Sequence, residues 1–299
     1  MSLLHSISRV VRPRLLLIGA LCVALPAPAV LGGVSTSRPP TADAATAASA
    51  ATTSTTGGLK QAKWGSNVTI TYGSGYIRYR SNGIPNHARQ KQYALPNAGV
   101  RVPTAATATA GADPTKAQSY DFKITTRPAK AGKATSTSLG TIGVMISGAA
   151  LFNPYEGDGS TVAVQSNFTV KGTDGTDVAF LDSCSGHPTP MGSYHYHALP
   201  RCVTAKVDKS GGPSHIIGIA FDGYPIYGDR DSKGRKVTAA KLDKCNGITS
   251  ATPEFPKGVY HYVLLDTKNS RSSIRCFTGK VSSALTTMGG MGGMGPPQR

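Results

Sequence analysis

Short alternations organise this chain. Residues 68–72 and 76–79 alternate apolar and polar positions and are rich in β-branched and aromatic side chains, the pattern of half-buried strands. Glycine and proline recur every few residues, and no 3.6-residue periodicity persists long enough for a long helix. Residues 98–110 are small and apolar but carry Val102-Pro103 and several threonines, so they read as strand and loop, with 104–116 a loop insertion. The pattern predicts an all-β domain over residues 60–284 with one or two short helices.

The flanks have other patterns. Arg9, Arg12 and Arg14 precede an apolar run over 15–25 that is short for a bilayer span and is broken by Pro26 and Pro28. That is the layout of a signal peptide. Small-residue cleavage sites stand at Ala27-Pro28-Ala29 and Ala42-Asp43-Ala44, and the second sets the signal at 1–44. Residues 45–59 are an Ala/Thr/Ser-rich stretch expected to be a disordered linker, and 285–299 a disordered Met/Gly/Pro-rich tail. Met288, Met291 and Met294 offer soft thioethers of the kind that suits Cu(I). No other run is apolar enough to cross a membrane, so the mature chain is expected to be exported, to the cell surface or periplasm, without a transmembrane segment.

Inside the domain the sequence repeats itself. Ile142-Gly-Val-Met-Ile-Ser-Gly148-Ala-Ala-Leu-Phe152 aligns without gaps to Ile217-Gly-Ile-Ala-Phe-Asp-Gly223-Tyr-Pro-Ile-Tyr227. Leu181-Asp182-Ser-Cys184-Ser-Gly186 matches Leu242-Asp243-Lys-Cys245-Asn-Gly247, and Gly192-Ser-Tyr194-His195-Tyr196 matches Gly258-Val-Tyr260-His261-Tyr262. A cysteine closes each unit, Cys202 and Cys276. The expectation is a duplicated β-sandwich or barrel-like domain, its halves at about 140–202 and 215–279 packed around a pseudo-twofold axis.

Of five cysteines, Cys22 lies in the signal, and four remain. An even number in an exported chain implies disulfides, and four allow three pairings. If each half closes its own bridge, the pairs are Cys184–Cys202 and Cys245–Cys276; a crossed arrangement joining the halves also satisfies the count. Their spacings are too long for a typical four-thiolate zinc site. The formal charge of +17 is carried by scattered basic residues with no recognition helix or aromatic-interleaved motif. This composition argues against a specific nucleic-acid binder and for loose attraction to anionic cell surfaces.

The chemistry lies in the histidines. In Tyr194-His195-Tyr196-His197, alternation puts both imidazoles on one face of a strand and both tyrosines on the other. Two rings at i and i+2 can converge on one ion, with Tyr194 and Tyr196 buried behind them. His187 follows the Cys184 turn and can supply a third ligand. His261, the counterpart of His195, can approach the same place across a twofold axis. Such a set suits copper or zinc. Asp182, Asp222 and Asp243 are candidate acceptors that orient imidazoles, with His215 in a supporting place. Asp222 in particular also reads as a turn residue binding its own backbone amides. His87, in a turn-forming segment, is expected to have a structural role or to support the ligands from behind.

Taken together, Asp182-x-Cys184-x-Gly186-His187, Tyr194-His195-Tyr196-His197, Asp222-Gly-Tyr-Pro-Ile-Tyr-Gly228, Asp243-x-Cys245-Asn-Gly247, Tyr260-His261-Tyr262 and Cys276-Phe-x-Gly279 resemble the YHYH protein family, as does Asn82-Gly-Ile-Pro-Asn-His87. The resemblance covers roughly residues 64–280. It implies an exported bacterial protein and brings no activity with it. The chain lacks a G-x-S-x-G elbow, a P-loop, an H-E-x-x-H motif and a dinucleotide fingerprint. The first expectation is therefore a secreted protein that binds a metal rather than an enzyme. The second is an extracytoplasmic hydrolase using a metal or a His/Asp pair, and the third a surface module binding a cell-envelope polymer or glycan.

Overall fold

A computed structural model describes residues 53–163 and 168–290. The expected signal lies outside these residues, as do Met291 and Met294 and the side chain of Met288. In chain order the elements are α1 (Thr56–Leu59), β1 (Val68–Gly73), β2 (Tyr76–Ser81), β3 (Gln92–Pro96), β4 (Ala108–Ala112), β5 (Tyr120–Thr125), β6 (Lys130–Ser136), β7 (Thr141–Met145), β8 (Ala150–Phe152), β9 (Thr169–Lys171), β10 (Asp177–Ala179), β11 (Gly186–Pro188), β12 (Tyr194–Tyr196), α2 (Arg201–Val207), β13 (Ile216–Ala220), β14 (Pro225–Tyr227), β15 (Gly247–Ser250), β16 (Val259–Val263), β17 (Cys276–Gly279) and α3 (Ser283–Gly290). The all-β class holds.

The centre is an eight-stranded sheet in the order β11-β12-β8-β7-β13-β14-β16-β15. It ends in two edges, β11 and β15, so it does not close on itself as a barrel. All five residues of β7 and of β13 are buried, as expected of central strands covered on both faces. A three-stranded sheet, β1-β2-β5, covers this centre. Its Ile77, Tyr79, Phe122 and Ile124 belong to the same core as Ile142, Val144, Ile219 and Phe221. The Tyr79 hydroxyl donates to the Met145 carbonyl at 3.1 Å, and the Phe122 and Phe221 rings lie 5.0 Å apart. Helix α2 lies against β13 and α3 against β7.

When β7 is matched with β13, β8 with β14, β11 with β15 and β12 with β16, the strand order reads the same from either end. Val144 stands opposite Ile219 in the middle, flanked by the pairs Gly218 with Met145 and Ala220 with Gly143. Corresponding bonds repeat on both sides. The Ile146 amide donates to Ile217 at 2.9 Å, and the Phe221 amide to Ile142 at 3.0 Å. Cys184 is bonded to Cys202 and Cys245 to Cys276, so each stretch closes its own bridge.

Three expectations about extent are corrected. Residues 53–59 are not part of a disordered linker. Leu59 is fully buried in the core, and the Thr55 amide donates to Thr126 at 2.8 Å. At the other end the ordered chain does not stop at 284, because Leu285 in α3 is buried. Residues 104–116 are not an insertion loop throughout, since β4 pairs with β3 in full antiparallel register from Gln92–Ala112 to Pro96–Ala108.

Candidate metal centre

The site is built on the β11–β12 ladder. His187 on β11 stands directly opposite His195 on β12, and His197 follows one residue past the strand. Alternation places the tyrosines behind. The Tyr194 hydroxyl donates to Asp182 Oδ2 at 2.6 Å, and the Tyr196 hydroxyl meets Ser147 Oγ at 2.9 Å and His87 Nε2 at 2.6 Å. The Cys184 turn is held by Asp182 Oδ1, which accepts from the amides of Cys184 at 2.8 Å and Gly186 at 3.2 Å. Gly186 is required there, because a side chain would run into the Tyr194 hydroxyl.

The three rings converge through Nε2. The His187–His197 separation is 3.2 Å and the His195–His197 separation 3.0 Å. All three side chains are buried. His197 Nδ1 bonds the Asn153 carbonyl at 2.7 Å, and His195 Nδ1 bonds the Ser193 carbonyl at 3.1 Å. A carbonyl only accepts, so Nδ1 of both rings carries the proton, and in a neutral ring Nε2 is then a bare lone pair. Burial keeps the rings neutral and pushes His197 down to about 4. It also pushes His187 and His195 well below the usual imidazole range, helped by repulsion from the neighbouring rings. Aromatic rings clamp the cluster: Phe152 stacks on His195 at 3.8 Å, and Phe180 lies 4.3 Å from His187.

Bare lone pairs facing each other at this distance repel unless a cation sits among them. Three nitrogens bound to one tetrahedral zinc at about 2.0–2.1 Å lie about 3.3 Å apart, close to the separations seen. The three ligand atoms form a group that could hold a metal ion. A cavity of about 360 Å³ opens beside them, walled largely by apolar residues such as Val100, Leu139, Phe152 and Phe180, with Glu156 among its lining. The second cluster of donor atoms, His87 with Cys184 and Cys202, contains no free thiol. There His87 serves to hold Tyr196.

Not every expected residue joins the site. His261 lies on β16, five strand spacings along the sheet from β12, on the order of 24 Å. It is buried, bonds the Val259 carbonyl at 3.0 Å and packs edge-on against Tyr227. It therefore repeats the anchoring of His195 at the far end of the sheet and does not reach the triad. His215 also belongs to that end, pairing with Glu254 at 2.7 Å. None of the three aspartates orients an imidazole. Asp182 takes turn amides and the hydroxyls of Tyr93 and Tyr194. Asp243 takes the amides of Cys245 and Gly247 and the Tyr260 hydroxyl. Asp222 takes the Tyr262 hydroxyl and the amides of Tyr224 and Gly279. Backbone carbonyls do the orienting instead. Phe152, Asn153, Phe180 and Glu156 were not anticipated. Only Phe152 carried a signal, as the last residue of the segment that aligns with 217–227.

Fold and site together define an all-β domain stapled by two disulfides around a buried three-histidine cluster. The chain belongs to the YHYH protein family, whose model matches residues 121–238 and 231–279. No curated protein and no solved structure matches the chain.

Proposed function

We propose that this protein binds one transition-metal ion, zinc or copper, through Nε2 of His187, His195 and His197. The observation that carries the reading is the convergence of three neutral imidazoles, at least two of which have Nδ1 committed to a carbonyl. Neutral nitrogen donors in a thiolate-free site suit these ions. The protein works outside the cytoplasm, a reading supported by two disulfides, which persist in oxidising compartments. The palindromic sheet supports a further part of the reading, that the two halves are copies of one unit. In the second copy Ile248 and Val263 occupy the places of His187 and His197, so only the first copy retains a ligand set.

The test is elemental analysis of the full chain, exported without a histidine tag, beside a His195→Ala/His197→Ala variant. One zinc or copper per chain in the parent, absent from a folded variant, supports the reading. No metal in either, after incubation with both ions, refutes it.

A further inference from the structure

Glu156 is the group in the cavity to which metal binding assigns no role. The chain has two glutamates, Glu156 and Glu254, against 32 lysines and arginines, so cationic partners are plentiful. Glu254 has partners, His215 Nδ1 at 2.7 Å and the Tyr227 hydroxyl at 2.8 Å. Glu156 is 6 % exposed, and its Oε1 is buried with no hydrogen-bond partner among the described residues. Leaving a buried polar atom unpaired costs its desolvation with nothing in return, and more when it is charged. Glu156 lines the cavity shared by the three histidines, yet its oxygens are not among the ligand atoms clustered within 4.8 Å of one another. It shares that cavity with the ligand set without belonging to it.

We propose that Glu156 is the acid–base residue of a hydrolytic centre whose other half is the ion held by His187, His195 and His197, and that the cavity takes a carboxylic ester with a small apolar acyl group. This inference rests on the metal reading above. An ion held by three protein ligands keeps a further position open, as in catalytic zinc sites. In the step proposed, a water in the cavity gives one proton to the Glu156 carboxylate as its oxygen bonds the acyl carbon. The bond from that carbon to the alcohol oxygen then breaks, and the proton passes from Glu156 to the departing alkoxide. Ester and water become acid and alcohol, with no oxidant or reductant. Val100, Leu139, Phe152 and Phe180 suit an alkyl group and give few polar contacts for a sugar.

The surroundings fit this role. Burial raises the Glu156 carboxyl to about 8, and Asp158 adds to the rise. Arg101 and Tyr155 line the same cavity, and Arg101 is exposed rather than paired with Glu156. A dication on the histidines would favour the ionised carboxylate and lower its pKa back towards neutral pH, where proton transfer is most effective.

The experiment compares zinc-loaded full chain, Glu156→Gln, Glu156→Asp and His195→Ala/His197→Ala, with 4-nitrophenyl acetate as the probe ester. Metal content is measured on every sample, and the cobalt(II)-substituted forms are titrated by visible spectroscopy. The expected result is one metal per chain in Glu156→Gln, with kcat/KM about 100-fold below the parent. Glu156→Asp should regain part of the rate, and a pH-dependent change in the cobalt spectrum of the parent should be missing from Glu156→Gln. Three results overturn the proposal alone: a Glu156→Gln rate equal to the parent, loss of metal from Glu156→Gln, or a metal-loaded parent no faster than the double histidine variant. A parent that takes up no metal is recognised by elemental analysis before any rate is measured, and it removes the metal reading together with this one.

Discussion

His187 and His195 face each other as direct partners in the antiparallel β11–β12 register. Two of the three converging rings are therefore as fixed as the ladder between their strands. The counterpart pair in the second half is Ile248 opposite His261, one imidazole facing an aliphatic side chain. Metal affinity should follow this difference. His187→Ala should raise the metal Kd at least about 100-fold, beyond the range typical for residues that only support a ligand. His261→Ala should leave metal content and affinity unchanged. Competition titration with a chromophoric chelator measures both, and equal losses in the two variants would contradict the assignment.

The two disulfides should separate in the same way. Their sequence separations are 18 and 31 residues, for which loop-closure entropy gives about 3 and about 4 kcal/mol of stability. Cys184→Ala/Cys202→Ala also frees the turn that leads into His187, so it should weaken metal binding as well as lower the denaturation midpoint. Cys245→Ala/Cys276→Ala should lower the midpoint at least as much and leave metal affinity intact. Urea denaturation of metal-free protein, paired with metal titration, checks both halves of the statement.

Phe152 holds His195 by stacking at 3.8 Å and 22°. The ring shares no bond with the imidazole, so its contribution is to limit where Nε2 can point. Phe152→Leu keeps an apolar wall but loses the flat contact. The metal Kd should rise about 10-fold, at the low end for residues that orient ligands. Phe152→Ala should add instability from lost packing, visible as a lower melting temperature of the metal-free chain.

Much of this was legible in the sequence, and the gaps have physical causes. Alternation in Tyr194-His195-Tyr196-His197 carries the face assignment because side chains on a strand switch sides at every residue. The matched segments carry the correspondence of Asp182 with Asp243 and of Cys184 with Cys245, down to the amide bonds each aspartate accepts. A repeat gives equivalence, but it does not give strand order. The observed strand order, with β7 and β13 at its centre, sends His195 and His261 to opposite ends of the sheet. Nor could the sequence tell that Ser193 and Asn153 orient the imidazoles, since every residue offers a carbonyl. Leu59 was hidden for another reason. One buried leucine beside an Ala/Thr/Ser-rich stretch hardly alters its composition, yet it anchors α1 in the core.

The far histidine has a consequence of its own. Burial pushes His261 down to about 4, while in the unfolded chain its ring titrates at about 6.5. Between those values the unfolded chain holds a proton on this ring that the folded chain lacks. Stability is therefore fully present above about 6.5, falls by up to about 1.4 kcal/mol per pH unit as the pH drops, and stops changing below about 4. Asp222, raised by burial to about 6, and Glu156, raised to about 8, act in the opposite sense, because there the folded chain holds the extra proton. A pH profile of the parent alone would mix these effects. Comparing metal-free parent with His261→Gln cancels the groups they share. The difference in unfolding free energy between the two should narrow as the pH falls from about 6.5 to about 4, by about 3 kcal/mol in total. Urea unfolding at half-unit pH intervals measures it, and a difference that stays constant across that range would mean that His261 titrates normally in the folded protein.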